Sequence, residues 1–273
     1  MSGFHLAGIV PVAGQPLNFN MPWHDCLMPI APDYLAIERS VLECAYAGCE
    51  TIWVVCNDDM QPLIRYRLGD YIQDPIWAFR KYDRTISESQ KPIPIYYVPI
   101  HPRDRAKRDC LGWSVLYGAY MSWKISRGMS KWLAPDKYYV SFPYGVYKVS
   151  FLRGHRSEIS SDKPFLLTNK GKSIIDGEYL GFTTDFEETK RLTRYLKYEA
   201  TETYHNEPKN FGLKEVFETL NFEEPEAVAI DYYWNIDNWE NYSKYISEID
   251  GKIRRPSKNI LNYREFNKIG VDS

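Results

Sequence analysis

Three short, almost continuous apolar runs, Leu6–Val12, Thr51–Cys56 (TIWVVC) and Ile95–Ile100, are spaced so that a helix fits between each pair. A strand covered on both faces is apolar along its whole length, whereas a half-exposed strand alternates. Between the first two runs, Leu35, Ile37, Val41, Leu42 and Ala45 recur at helical spacing. They predict a helix over Tyr34–Ala47, with Asp33 as its cap and Gly48 as its stop. After the second run a turn at Asn57-Asp58-Asp59 leads into a helix with Pro62 near its start, ending at Leu68 before Gly69. This order of elements predicts an α/β fold: three layers, with a mostly parallel central sheet between helices.

Farther along, Leu111–Ser126 has the pattern of a Trp- and Tyr-rich helix, and Tyr138–Phe142 that of a strand cut off by Pro143. From Phe151 to Thr184 the pattern is irregular, with short strands at Phe165–Thr168 and Tyr179–Thr183. Asp185 is placed to cap a charged helix running to about Glu199; a short helix at Leu213–Leu220, a strand at Ala227–Ile230 and a terminal helix within Tyr232–Tyr245 follow. The organisation expected is one domain over 1–250, with an irregular insertion at 151–184, and a mildly basic tail over 251–273.

With 273 residues the chain is long enough to bury a sizeable core. A formal charge of −2 gives no reason to expect nucleic acid or an anionic membrane as partner. No apolar stretch is long enough to span a bilayer, and the start lacks a signal-peptide pattern, so a cytoplasmic protein is expected. Five cysteines, Cys26, Cys44, Cys49, Cys56 and Cys110, contain no C-x-x-C pair and sit mostly among apolar residues. They read as reduced core thiols rather than a zinc site.

The first strand runs into Ala13-Gly14, and a polar loop then leads to Leu27-Met-Pro-Ile30. Backbone amides after a strand are suited to cradle a phosphate. Gly8-Ile-Val-Pro-Val-Ala-Gly14, Leu27-Met-Pro-Ile30, Glu38–Val55, Gly112-Trp-Ser-Val-Leu116, Leu213–Leu220 and Tyr233–Tyr242 occur in the order of corresponding segments in one enzyme group. Over Leu6–Tyr245 the chain thus resembles the sugar-phosphate nucleotidyltransferases, which have the nucleotide-diphospho-sugar transferase (GT-A-like) fold. The resemblance implies that fold, and a site for a nucleoside triphosphate and a sugar phosphate held with Mg²⁺. It assigns Ala13, Gly14, Gln15, Asn57 and Gly112 to substrate binding, and Asp237 with Asn235 to metal.

The departures concern charge. Where the family loop carries G-x-G-T-R, this chain has Gly14-Gln-Pro-Leu-Asn18, without the Arg. His24-Asp25 stands in place of the P-K pair, and Pro143-Tyr144 in place of a strand-ending G-D whose Asp binds metal. A triphosphate needs cations and metal-holding carboxylates around it, so these losses are costly for transfer chemistry. His24 and Asp25 are the candidate catalytic pair, as a proton-transfer couple or part of a rebuilt metal site; a solvated loop is the plainer reading. Asn57-Asp58-Asp59 fits a turn, and Asp237 a helix cap, as well as a ligand role.

The loop with His101, Arg103, Arg105, Lys107 and Arg108 has cations to offer an anion, but Asp104 and Asp109 interrupt it and a solvated loop is preferred. Lys170-Gly-Lys-Ser173 lacks the first Gly of a P-loop and is discounted. Trp113, Tyr117, Tyr120 and Trp123 share a helical face, taken as core packing ahead of a partner interface. The favoured function is a nucleotidyltransferase-like chain with eroded catalytic motifs, kept as a binding or assembly module, for instance in a larger complex such as a virus particle. It requires no cofactor; its partner is another protein or a second copy, with a nucleotide or nucleotide sugar as ligand. The alternative is a divergent Mg²⁺-dependent nucleotidyl- or glycosyltransferase.

Overall fold

The computed structural model describes residues 4–14, 24–78, 92–105, 108, 110–203, 211–220, 222–249 and 251–256, without the side chains of 77, 78 and 200–203. Its main sheet has eight strands: β1 (Leu6–Pro11), β2 (Thr51–Cys56), β3 (Tyr71–Gln73), β4 (Pro92–Pro99), β5 (Lys137–Val140), β6 (Phe165–Thr168), β7 (Phe182–Thr184) and β8 (Glu226–Ala229). Their spatial order is β8-β6-β7-β5-β1-β2-β4-β3. The middle four, β5-β1-β2-β4, are mutually parallel. β7 runs antiparallel to both of its neighbours, and β3 antiparallel to β4. The fold is therefore α/β around a mostly parallel mixed sheet.

The longer helices are α1 (Ala36–Ala47), α2 (Gln61–Leu68), α3 (Leu111–Met129), α4 (Phe186–Thr203), α5 (Leu213–Phe217) and α6 (Trp239–Ser247). Consecutive strand residues face opposite sides. On β1, Gly8 faces Cys44 of α1, while Ile9 lies against Gly118 of α3. α1 and α3 therefore cover opposite faces, which makes three layers. Val12 and the strand residues Leu6, Ala7, Ile9, Val10, Ile52, Val54, Val55 and Cys56 are all buried, as a doubly covered sheet demands.

Several expectations shift in detail. Asp33 does not cap α1: it sits at φ 55° in the turn of a small hairpin, Pro29–Ala31 with Tyr34–Leu35, and α1 starts at Ala36. The helix end instead uses Glu38, whose carboxylate accepts from the Leu35 amide at 2.8 Å. Gly48 does stop the helix, in the left-handed region at φ 98°. Asp185 caps α4, its Oδ1 accepting from the Glu188 amide at 2.8 Å. β7 lies three residues beyond the start expected at Tyr179, and the antiparallel edge strand β3 went unforeseen. The span 151–184 contributes β6 and β7 to the main sheet.

Beneath the ends of these strands lies a buried polar cluster. Arg39 and Glu43 of α1 pair at 2.7 Å with both side chains almost fully shielded. Glu43 also accepts from Tyr139 Oη at 2.7 Å, from Ser141 Oγ at 2.6 Å and from the Tyr147 hydroxyl. Arg39 donates to the Phe142 carbonyl. The chain leaving β5 is thus tied to α1 just before Pro143-Tyr144. After 250 the backbone returns to α1: Ile253 is buried and Arg255 pairs with Asp33. The rest of the tail lies outside the described residues.

Candidate functional site

In a parallel α/β sheet, ligands gather at the carboxyl ends of the strands. β1 leads there into Val12-Ala13-Gly14. The amides of Val12 and Ala13 both donate to the Val55 carbonyl, at 2.8 Å each, and the Ala13 carbonyl accepts from Ser114 Oγ on α3. These groups are spent on the scaffold. Gly14 has φ +143°, a region that L side chains rarely adopt, and a Cβ there would lie 3.0 Å from the Leu111 nitrogen at the start of α3. Gln15 lies outside the described residues.

The chain re-enters as a 3₁₀ turn, Asp25–Leu27. Asp25 is 3 % exposed. His24 Nδ1 is 2.6 Å from Asp25 Oδ1 and 3.3 Å from the Cys26 amide nitrogen. The shorter contact is the stronger, so the ring nitrogen acts as donor to the carboxylate. Tyr144 Oη donates to the same oxygen at 2.9 Å. Burial, with Asp25 beside it, holds the Tyr144 phenol well above its ordinary pKa. Burial chiefly, then Asp25 and Cys56, push the Cys26 thiol up as well.

Asp237 reaches the same neighbourhood from the other end of the chain. A short antiparallel ladder pairs Asn235 with Gly145 and Trp234 with Val146, and the Ile236 amide donates to the Tyr144 carbonyl at 2.9 Å. Gly145 is required here because a Cβ would collide with the Tyr179 carbonyl oxygen. The Tyr179 phenol packs edge-on against Tyr144, with ring centroids 5.4 Å apart. Its pKa is raised by burial first, then by Asp237, then by Asp25. The two carboxylates therefore flank one tyrosine.

Asp237 does not cap α6; Asn238 does, accepting from the Asn241 amide at 2.9 Å. Asp237 Oδ1 accepts from the side-chain amides of Asn238 at 2.8 Å and Asn241 at 3.0 Å, and Oδ2 lies 3.4 Å from Asn235 Nδ2. Mg²⁺ requires nearly octahedral oxygen ligation and keeps much of its water. A half-buried carboxylate held by three amides, and a buried one held by an imidazole and a phenol, do not fit that ion. His24, Asp25 and Cys26 do bring one ligand atom each within 4.8 Å of one another. Their mixed N, O and S donors suit a softer ion than Mg²⁺.

The other assigned residues make contacts of their own. Asn57 follows β2; its carbonyl accepts from Met60 and Gln61, and its buried Oδ1 has no partner among the described residues. Gly112, in the first turn of α3, is packed against Val216 of α5, where a Cβ would be 2.7 Å from a methyl. In the basic loop Arg105 lies 3.8 Å from Asp58, and Arg108 pairs with Asp104 at 2.7 Å. Lys107 and Asp109 lie outside the described residues. Lys170-Gly-Lys-Ser173 forms a tight hairpin in which Asn169 bridges Lys172.

Sequence reasoning missed Tyr144 and Tyr179 as members of the site. For Tyr144 the signal was present: it occupies the position where the resemblance expects a metal-binding Asp. Trp113 is core and Tyr117 packs half-buried against it, as expected, but Tyr120 is exposed, and all three line a surface groove with Trp123.

No protein-family model matches this sequence, and neither does any curated protein. Solved structures do match. One, designated a glucose-1-phosphate thymidylyltransferase, from Bacillus anthracis and in complex with sucrose, is 8 % identical, with 93 % of this chain and 98 % of that one covered at a TM-score of 0.59. A UDP-glucose pyrophosphorylase complexed with UDP-glucose is 13 % identical, covering 92 % and 100 % at 0.54. A nucleoside-diphosphate-sugar pyrophosphorylase from Vibrio cholerae RC9 is 11 % identical, covering 88 % and 100 % at 0.50. The chain has the fold of the sugar nucleotidyltransferases. Among the described residues no helix is long and apolar enough to cross a membrane.

Proposed function

We propose that this chain keeps the sugar nucleotidyltransferase fold as a non-catalytic binding or assembly module. The observation that supports this reading is the hydrogen bond from Tyr144 Oη to Asp25 Oδ1 at 2.9 Å, within the core. At the strand end where the resemblance calls for a metal-binding carboxylate, a phenol stands instead. It closes directly onto the residue that replaces the phosphate-binding Lys. Asp237, the remaining carboxylate, is held by side-chain amides. Triphosphate transfer needs positive charge and a divalent ion at this place, and these residues offer neither. The binding role itself rests on the retained fold, whose relatives include a UDP-glucose complex, and the ligand proposed is a nucleotide or nucleotide sugar without turnover.

The test is calorimetry of the full chain with Mg²⁺ and each nucleoside triphosphate, alongside a pyrophosphate-release assay with sugar 1-phosphates. The expected result is no pyrophosphate release. Steady release, lost in Asp237→Ala, overturns the proposal. A size measurement on the purified chain examines the assembly role, for which a stable oligomer is expected.

A second reading has one observation in its favour: Asp25 sits with His24 and Cys26 in a ligand-sized group, and the ladder of Asn235 with Gly145 brings Asp237 to the same neighbourhood. Under it the protein is a divergent metal-dependent transferase. Activity appearing with Mn²⁺ or Zn²⁺ and vanishing in Asp25→Asn is the result that selects it.

A further inference from the structure

On the outer side of α3, away from the site just described, α4 packs alongside and leaves a groove of about 640 Å³. Its floor is aromatic: Trp113, Tyr117, Tyr120 and Trp123 from α3, and Phe186 from α4. Trp123 and Phe186 stack with centroids 4.3 Å apart. Its rim is basic, with Arg127, Lys190, Arg194 and Lys197 against two carboxylates, Asp104 and Glu187.

The cations are posted on the rings. The Arg127 guanidinium lies 4.9 Å from the Trp123 ring centroid, the Lys197 ammonium 5.9 Å from that of Trp113, and the Lys190 ammonium 5.9 Å from that of Phe186. A ring face orients a cation without neutralising it. Lys190 also pairs with Glu187, at 3.2 Å. Arg127 and Arg194 have no carboxylate within ion-pair distance among the described residues. At the α3 amino end of the groove, Trp113 is 3 % exposed and its indole Nε1 has no acceptor among the described residues.

We propose that this groove binds a small anion with a planar apolar body, of the aryl sulfonate, carboxylate or phosphate class. The volume is that of a small-molecule site, for which about 300–1,000 Å³ is typical. An aromatic floor gains little from a bare hydrated phosphate, and a cationic rim little from a neutral hydrocarbon. The combination selects a ligand that carries both features. This site is independent of the Asp25 centre, so its fate and that of the non-catalytic reading are separable.

The probe is 8-anilinonaphthalene-1-sulfonate, titrated into the full chain by fluorescence and calorimetry. One saturable site per chain is expected, with binding at least tenfold weaker in Arg127→Glu/Arg194→Glu. Both positions are exposed, and Arg127→Gln/Arg194→Gln serves if the charge reversal disturbs folding, as judged by circular dichroism. The neutral analogue N-phenyl-1-naphthylamine should bind at least tenfold more weakly, and inorganic phosphate should displace the dye only at far higher concentration. Equal affinity for the neutral dye, equal competition by phosphate, or unchanged binding by a folded double variant each overturns the proposal.

Discussion

Arg39 and Glu43, one turn apart on α1, form an ion pair at 2.7 Å whose two side chains are 1 % and 0 % exposed. Burial lowers the Arg39 pKa, but Glu43 and Tyr147 outweigh it and the guanidinium stays charged above its ordinary range. The pair holds its place because Tyr139, Ser141 and Tyr147 donate to the same carboxylate. Ion pairs of this kind are costly to bury, and far costlier to break on one side only. What the arrangement secures is the path of residues 139–147.

Glu43→Leu leaves Arg39 buried without its anion. A loss of about 3–5 kcal/mol is expected, read from urea unfolding as a lower midpoint with an unaltered slope. A loss under 1 kcal/mol contradicts the tie between α1 and the β5 end.

Tyr144→Phe keeps the ring and removes the donor to Asp25. The expected cost is about 1–3 kcal/mol, with the backbone fold unchanged by circular dichroism. A variant as stable as the parent shows that Asp25 has no need of the phenol.

Stability should fall on the alkaline side above about pH 9, with one group working against the fall. Burial lowers the Lys137 pKa from 10.5 to about 8, even though its ammonium donates to the carbonyls of Ile159, Ser161 and Lys163. Between about pH 8 and 10.5 the unfolded chain holds a proton that the folded one has released. This group therefore adds stability as pH rises, by at most about 1.4 kcal/mol per pH unit. Burial raises the Cys26, Cys44 and Cys56 thiols above 9, so their contribution is complete below pH 9 and lost above it. Burial raises the pKa of Tyr139, Tyr144 and Tyr147 well above 10, so theirs is complete below pH 10 and lost above it. Denaturant unfolding at pH 7.5, 9, 10 and 11 checks this balance; in Lys137→Met the fall between pH 9 and 10.5 should be steeper. The tyrosinate absorbance that these three buried phenols contribute should appear together with unfolding.

All five cysteines are free and buried, and burial pushes the Cys56 thiol to about 12. A thiol reagent should titrate none of them rapidly in the native state and five after denaturation. One fast thiol in native protein contradicts the packing described.

The sequence made the middle of the sheet legible, because double burial leaves a run with no alternation; Thr51–Cys56 and Phe165–Thr168 were placed to the residue. β3 was not legible: its three residues, Tyr71–Gln73, pair at an edge, where one partner strand suffices and no apolar pattern is imposed. At the site, Asp25 and Asp237 were picked from their positions in the resemblance. Tyr144 and Tyr179 escaped because they had been counted as a missing carboxylate and a strand residue. Their role depends on how the 143–146 and 233–237 segments meet, a pairing across 90 residues that no local pattern encodes.

The Tyr144–Asp25 bond has a consequence for how this molecule meets its surroundings. An active centre closed by a divalent ion makes stability a function of that ion's concentration, because a ligand bound only by the folded state adds to its stability. Here both sides of the closure are supplied by the chain itself. Under the non-catalytic reading the centre is insulated from the ionic composition of the medium, and a chelator should leave the melting temperature where it is.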